Sequence, residues 1–200
     1  MCGRFVSISE EQLKDILNGV GQDLDISDMK FGETFPTNSS LVETSGKDQD
    51  KLEIMDWGIK TEWKDYKTGK TTKNNLINAR QETVKEKVTF KKDFQEHRCI
   101  IYASAFYEWQ NHKDKYLVFR EHQDILKFAG LYKIDKDNEP YFVIVTQEAT
   151  PEFTVLHNRL PLMLEDDEIE DYLNGEDTGK WTKPKSYPDL KWQLVEKKYE

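Results

Sequence analysis

Apolar positions in the second half of the chain fall into short runs that are separated by charged turns. β-Branched and aromatic residues dominate these runs, and this composition at regular spacing is typical of consecutive antiparallel strands. The runs cover Cys99–Phe106, Tyr116–Arg120, Leu126–Tyr132 and Tyr141–Gln147. Apolar residues at alternate positions of Leu52–Gly58 predict one more strand earlier in the chain.

A helix over residues 10–18 is predicted by the residues in front of it. Ser9 followed by Gln12 has the capping-box pattern, in which each side chain bonds the backbone N–H of the other residue. We expect the glycines at positions 19 and 21 to end this helix. Its apolar face consists of Leu13, Ile16 and Leu17.

The remaining pattern predicts short helices and polar loops. Further helices are predicted near Ala79, around Phe90 and Phe94, over 151–157 and over 166–173. The polar segments 22–50 and 64–75 are predicted as loops, the first with room for one short strand. No repeat or long linker divides the chain. We therefore predict a single α+β domain over residues 1–200, with mainly antiparallel, curved, barrel-like sheets and peripheral helices.

Composition limits the class of protein. Two hundred residues with 36% hydrophobic content are enough for a buried core. No apolar run approaches the roughly 20 residues of a membrane span, and the N-terminus lacks the pattern of a secretory signal. The two cysteines fit a reducing compartment, so we expect a cytoplasmic protein with no membrane partner. With four histidines and no CxxC pair, no metal or cofactor is predicted.

Charge is unevenly distributed along the chain. The net charge of −9 argues against nonspecific nucleic-acid binding by the chain as a whole. Residues 57–98, however, hold eleven Lys and Arg against six Asp and Glu, whereas Glu165–Asp177 holds eight acidic residues and no basic one. One interpretation is a cationic surface on an acidic body. The alternative is an ordinary Lys-rich solvated loop.

Position 2 carries the most reactive candidate group. Removal of Met1, which a small second residue permits, would leave Cys2 with a free α-amine and a thiol on adjacent carbons. The usual pKa is about 7.7–8.0 for the amine and about 8.5 for the thiol, so both are accessible nucleophiles near neutrality. An amine forms an imine with an aldehyde, and the neighbouring thiol can then close a thiazolidine ring. The alternative is that Cys2 follows the initiator by chance.

Three further residues are candidates for polar chemistry, and each has a structural alternative. Asn78 offers a donor and an acceptor without adding charge, but Asn is also a good N-cap for a helix beginning at Ala79. Glu108 lies in an apolar, aromatic strand where desolvation would raise its pKa, although strand alternation also permits it to face outward. His157 has a usual pKa near ~6.5 and can transfer protons, but a lone His is more often structural.

Arginine and tryptophan side chains are candidates for contacts with a nucleic acid. A guanidinium group binds phosphate through two hydrogen bonds, and the candidates are Arg4, Arg80 and Arg159. A surface ion pair is the alternative for Arg4. Trp57 and Trp63 flank the start of the basic segment and are candidates for base stacking. Trp63, between charged residues, is the better candidate, because Trp57 also fits a core position.

Four segments contain most of these candidates: Met1–Phe5, Asn78–Thr83, Ser104–Trp109 and His157–Pro161. Their order and spacing resemble the SOS-response-associated peptidase (SRAP) family of abasic-site-processing proteins. Weaker matches lie between them, and the resemblance is strongest over residues 1–165.

The resemblance implies a monomer that senses abasic sites in single-stranded DNA and acts in the response to DNA damage. By the same resemblance, Cys2 would form a thiazolidine crosslink with the ring-opened sugar after Met1 is removed. Asn78 would hold Cys2 and the sugar, while Glu108 and His157 would transfer protons. AP-lyase activity and self-processing peptidase activity are further implied properties.

Two other function classes fit parts of the same sequence. Cys2, Asn78 and His157 would also suit an N-terminal-nucleophile cysteine amidohydrolase or peptidase with no DNA role, in which the basic segment has no obvious use. A non-catalytic single-strand-binding module that uses Trp63 and the Lys-rich segment would bind abasic and intact strands alike. Formation of a covalent adduct with abasic DNA separates the three.

Overall fold

Strands make up most of the regular structure. The computed structural model describes residues 2–27, 29–45, 51–64, 66–111, 113–175 and 179–197, with backbone only at 63 and 64. The strands are β1 (Phe5–Ser7), β2 (Glu33–Thr34), β3 (Ser39–Thr44), β4 (Lys51–Trp57), β5 (Ile59–Lys64), β6 (Thr71–Leu76), β7 (Asn78–Arg80), β8 (Arg98–Gln110), β9 (Asp114–Arg120), β10 (Leu126–Ile134), β11 (Pro140–Glu148), β12 (Arg159–Pro161) and β13 (Leu190–Glu196). The α-helices are α1 (Glu10–Val20), α2 (Lys91–Glu96) and α3 (Ile169–Leu173), and short 3-10 helices cover Phe153–Val155, Asp166–Glu168 and Lys180–Thr182.

Five strands close into a barrel. β8 pairs with β10, β10 with β11, β11 with β4, β4 with β3, and β3 returns to β8. These pairings are antiparallel except for β11 with β4, which is parallel. A closed ring leaves none of its strands as an unpaired edge. The predicted α+β class with curved, barrel-like and mainly antiparallel sheets is confirmed.

Both faces of the barrel strands are buried. Ile100 of β8 belongs to one apolar cluster with Leu13 of α1, whereas the next residue, Ile101, belongs to a second cluster with Trp57 and Phe128. Burial on both faces explains why these strands read as continuous apolar runs in the sequence. The helices are peripheral and cover one of the two faces. Within the described ranges, no helix has the length and apolar content needed to cross a membrane.

The first helix follows its predicted signals. Ser9 Oγ accepts a hydrogen bond from the Gln12 backbone N–H at 3.1 Å, and the Gln12 side chain accepts one from the Ser9 N–H at 2.9 Å. Gly21 then ends the helix with φ +64°, a left-handed conformation that glycine adopts without steric cost. Gly19 lies inside α1, so the helix runs two residues past its predicted end at 18.

Two predictions in the middle of the chain are wrong because long-range pairing overrides local propensity. The helix expected near Ala79 is instead β7, whose Asn78 pairs with Ile144 of β11 in a parallel register. The loop expected over 64–75 contains most of β6, which pairs antiparallel with β5.

Smaller differences occur in the other loops and helices. The segment 22–50 contains two strands, β2 and β3, and its residues 46–50 lie outside the described ranges. The helix predicted over 151–157 shortens to one 3-10 turn, whereas the one predicted over 166–173 starts as a 3-10 turn and continues as α3. The strand β13, which no local pattern predicted, pairs with β9.

Candidate active site

Strand pairing carries the first residues of the chain into the interior. β1 pairs with β2 on one side and with β8 on the other. The N–H of Tyr107 donates to the Arg4 carbonyl at 2.8 Å, which extends the ladder with β8 toward the start of the chain. Cys2 is fully buried as a result. It lies near the C-terminal part of β8, where Glu108 is located.

Asn78 joins Cys2 from a different part of the chain. Its Nδ2 donates a hydrogen bond to the Cys2 carbonyl at 2.8 Å across a separation of 76 residues. Asn78 is the first residue of β7, and no helix begins there, so the N-cap alternative does not apply. Its Oδ1 is buried and accepts no hydrogen bond from the described residues. One acceptor at this site is therefore available to a ligand.

Glu108 and His157 form a pair beside Cys2. The distance from Glu108 Oε2 to His157 Nε2 is 3.7 Å. His157 Nδ1 lies 3.0 Å from the Arg159 backbone nitrogen and 3.2 Å from the Arg159 carbonyl oxygen, and these contacts hold the ring with Nε2 facing Glu108. Glu108 is 2% exposed, and this burial raises the pKa of its carboxyl to about 7. The outward-facing alternative for Glu108 does not apply.

The thiol of Cys2 is protonated at neutral pH. Its Sγ lies 3.9 Å from the Arg4 carbonyl oxygen. Burial, followed by the nearby Glu108 carboxylate, raises the pKa of the Cys2 thiol well above its usual range. This site therefore offers a neutral thiol and a carboxyl group that titrates near neutrality.

An open pocket adjoins His157 and reaches the surface. Its volume is about 580 Å³, and one of its lining residues is the exposed Arg80 at the end of β7. The other lining residues are Glu148, Ala149, Thr154, His157, Asn158 and Arg159. An exposed guanidinium beside the imidazole is suited to an anionic group such as a phosphate.

Arg159, also predicted to contact phosphate, has a different environment. Its guanidinium makes two hydrogen bonds to the Glu82 carboxylate, at 2.7 and 3.1 Å, and two more to Thr146. The residue is only 8% exposed. These contacts occupy the guanidinium N–H groups that a phosphate would need, and they tie β12 to β11 and to Glu82, which follows β7.

The two tryptophans that were predicted to stack on bases lie in different environments. Trp57 is fully buried: its ring stacks with Phe142 at a centroid distance of 6.3 Å, and its Nε1–H donates to the Ile77 carbonyl at 2.9 Å. A base cannot reach either face, which corrects the prediction of a DNA contact and places Trp57 in the core. Trp63 lies on β5, and its side chain is outside the described part of the structure.

Alanine at Arg159 is expected to lower the stability of the fold, whereas alanine at Arg80 is not. The first change removes four hydrogen bonds of the buried Arg159 guanidinium and leaves Glu82 without its cation, a loss of about 2–3 kcal/mol. Thermal unfolding should show a decrease in Tm of about 5–10 °C for Arg159→Ala. Arg80→Ala is the exposed control and should unfold with the native protein. Equal Tm values for both variants would contradict the structural role of Arg159.

Sequence reasoning missed two residues that contact Arg4. Glu33 Oε1 accepts hydrogen bonds from Arg4 at 3.0 Å and from Lys115 at 2.6 Å, so the ion pair offered as the alternative for Arg4 is present. Phe35 packs its ring against the Arg4 guanidinium, 4.2 Å from the ring centroid. Neither residue is among the predicted site residues, because only the pairing of β1 with β2 brings them to Arg4. In the described ranges, no group of three or more His, Cys, Asp or Glu is arranged to hold a metal ion.

Comparison with known proteins identifies the family of this chain. The family model for SOS response associated peptidase (SRAP) matches residues 1–199. The chain is 30% identical over 190 residues to the abasic site processing protein YoqW of Bacillus subtilis (strain 168), covering 89% of this chain and 82% of YoqW. It is 28% identical over 190 residues to the abasic site processing protein YedK of Escherichia coli (strain K12), covering 90% and 82%. A crystal structure of a protein from Bacteroides thetaiotaomicron shares the fold, with a TM-score of 0.76 at 20% identity over 98% of this chain and 92% of that one. This chain therefore belongs to the SOS response associated peptidase family.

Proposed function

We propose that this chain processes abasic sites in single-stranded DNA by forming a covalent crosslink through Cys2. The observation that carries the proposal is the convergence of four separate segments, which bring Cys2, Asn78, Glu108 and His157 together. Such a site combines an aminothiol with groups that transfer protons and hold polar atoms. Because YoqW and YedK are named abasic site processing proteins, we take an abasic sugar as the substrate.

Removal of Met1 is part of the proposal, and Met1 lies outside the described residues. While Met1 is attached, the Cys2 nitrogen belongs to an amide and does not form an imine. Its removal exposes a primary amine whose usual pKa is about 7.7–8.0, so a substantial fraction is unprotonated near neutrality.

The first step forms an imine. The Cys2 amine attacks the C1′ aldehyde carbon of the ring-opened deoxyribose, and the resulting carbinolamine must lose its hydroxyl group as water. Glu108 is suited to protonate that hydroxyl, because a carboxyl with a pKa of about 7 is about half protonated at neutral pH. Its pairing with His157 provides a nearby group that returns the proton.

The second step closes the ring. Sγ of Cys2 adds to the imine carbon, and the thiol proton passes to the imine nitrogen. One aminothiol and one aldehyde thus yield one thiazolidine and one water, with no change in oxidation state. Because burial keeps the thiol protonated, its proton must leave as Sγ attacks, and the basic imine nitrogen is suited to accept it. Holding both nucleophiles on one residue makes the attack intramolecular.

Asn78 has a positioning role in this scheme. Its amide N–H fixes the Cys2 carbonyl, which restricts where the neighbouring amine and thiol can lie. Its buried Oδ1 is suited to accept a hydrogen bond from a hydroxyl of the opened sugar. The exposed Arg80, at the pocket beside His157, is suited to a neighbouring phosphate.

The amidohydrolase alternative has less support. A cysteine nucleophile that attacks amides reacts as the thiolate, and the buried Cys2 thiol has its pKa shifted in the opposite direction. AP-lyase activity is an extension of the main proposal, since the imine is also the intermediate from which β-elimination proceeds. Self-removal of Met1 is a second extension.

The test uses protein from which Met1 is absent by intact mass, incubated with a single-stranded oligonucleotide that contains one abasic site. We expect a heat-stable adduct on a denaturing gel, with a mass equal to protein plus DNA minus one water. An intact oligonucleotide of the same sequence should give none. A shortened DNA strand on the same gel would report lyase activity. Absence of any adduct from Met1-free protein would end the proposal.

A further inference from the structure

The turn that follows β2 presents an exposed aromatic ring on a rigid frame. Phe35 is 41% exposed. Its N–H donates to Asn38 Oδ1 at 3.0 Å, and its carbonyl accepts from the Asn38 N–H at 3.0 Å. The backbone of Thr37 and Asn38 makes two further hydrogen bonds with Trp57, at 2.8 and 2.9 Å. Four bonds therefore fix the turn that carries the ring.

The same turn contains a strained residue. Thr37 has φ +79°, a region that β-branched residues rarely occupy. A conformation of this kind costs about 1–3 kcal/mol and persists only where the surroundings enforce it. The buried Trp57 provides that enforcement through its backbone. The turn therefore holds Phe35 in place even though Thr37 by itself would favour a different backbone conformation.

The ring lies next to the candidate active site. The pairing of Phe5 with Thr34 brings Phe35 across from Arg4, two residues from Cys2. The Arg4 guanidinium lies 4.2 Å from the Phe35 ring centroid and 5.0 Å from that of Trp109, and Glu33 holds it by an ion pair at 3.0 Å. The Arg4 cation contacts the Phe35 ring while the residue remains 41% exposed to solvent.

We propose that Phe35 is a stacking platform for the base next to the abasic nucleotide, an inference that rests on the proposed function. A missing base leaves its neighbour without a stacking partner on one side, and an exposed aromatic ring can replace that partner. Stacking is independent of charge. It therefore offsets the weak attraction of phosphates to a chain with a net charge of −9.

The test compares two phenylalanines of similar exposure on two substrates. Phe31 is 39% exposed and serves as the matched control for Phe35. One substrate is an abasic single strand with ordinary flanking bases. In the other, the flanking nucleotides are replaced by tetrahydrofuran analogues, which lack both the base and the reactive aldehyde. Crosslinking rates are measured at subsaturating protein.

Phe35→Ala should reduce the rate on the ordinary substrate by at least about fivefold, the factor expected for loss of about 1 kcal/mol of stacking. The reduction should disappear on the tetrahydrofuran-flanked substrate. Phe35→Tyr keeps the ring and should keep the rate, and Phe31→Ala should match the native protein on both substrates. An equal loss on both substrates would overturn the inference, because it would show that Phe35 acts only by supporting Arg4. An unchanged rate for Phe35→Ala would overturn it as well.

A binding measurement separates failure of this inference from failure of the proposed function. In the Cys2→Ala background, an unreactive tetrahydrofuran site flanked by 2-aminopurine reports stacking through loss of its fluorescence. We expect quenching on binding, and we expect Phe35→Ala to remove it. If the native protein forms no adduct, the proposed function fails while this measurement still decides the role of Phe35. Quenching that is unchanged in Phe35→Ala would reject the platform.

Discussion

Replacing Cys2 with alanine is expected to abolish the heat-stable adduct with abasic single-stranded DNA. The variant keeps its terminal amine once Met1 is removed, so it still forms an imine, but it has no sulfur with which to close the ring. Imines hydrolyse, whereas the intramolecular thiol attack draws the product into the thiazolidine. Denaturing gels and intact mass should therefore show a loss of stable adduct by at least about 100-fold.

The other buried cysteine provides the matched control. Cys99 lies in β8, is fully buried, and belongs to the same apolar cluster as Cys2. Cys99→Ala should cost stability through a small cavity and yet crosslink at the native rate. Borohydride should still trap an adduct with Cys2→Ala, because reduction converts the imine to a stable amine. A stable adduct from Cys2→Ala at native yield, without reduction, would show that a different residue captures the sugar.

Replacing Glu108 with glutamine is expected to have the second-largest effect, lowering the crosslinking rate by about 10²- to 10⁴-fold. Glutamine keeps the shape of the side chain but transfers no proton to the departing hydroxyl. The pH dependence supplies a sharper criterion. In the native protein, the rate should rise as the Cys2 amine loses its proton and fall as Glu108, whose pKa is about 7, loses its own. The profile is therefore bell-shaped around neutrality, and Glu108→Gln should lose its alkaline limb.

The same substitution should stabilise the fold at alkaline pH. Burial raises the pKa of Glu108 from 4.5 to about 7, so the folded state prefers the protonated carboxyl. The contribution of this group is fully present below pH 4.5 and is lost as the pH rises through about 7, by about 3 kcal/mol. Glu108→Gln removes this penalty, so its Tm should exceed the native value at pH 8 by more than at pH 5. A constant difference in Tm across that range would contradict a raised pKa at Glu108.

Opposite effects on rate and stability would separate a catalytic from a structural role. A residue that only supports the fold loses stability when it is replaced, and its rate falls for that reason. Glu108→Gln is expected to lose rate while it gains stability above neutral pH, a combination that is typical of charged groups kept buried for function. A decrease in both quantities at pH 8 would instead indicate that Glu108 supports the packing of β8.

Local features of the sequence determined several elements by themselves. The capping box of Ser9 and Gln12 and the glycine at 21 each act on the helix end next to them, so α1 could be predicted from its own residues. The four apolar runs of the second half predicted β8 to β11 because strand composition is also a local property. The order of the four reactive segments likewise indicated the family before any geometry was known.

Only the tertiary structure decided how those elements meet. Asn78 became a strand residue bound to Cys2 because β11 pairs with its segment from more than sixty positions away, a pairing that outweighs the local preference for a helix. Arg159 forms an ion pair with Glu82, and Trp57 is buried in the core, so neither side chain is positioned to contact DNA. Long-range pairing leaves no periodic trace in the sequence, because contacts between distant strands depend on closure of the whole barrel. The apolar strand around Glu108 indicated a raised pKa, but only the tertiary structure decided that its side chain faces inward, beside Cys2 and His157, rather than outward.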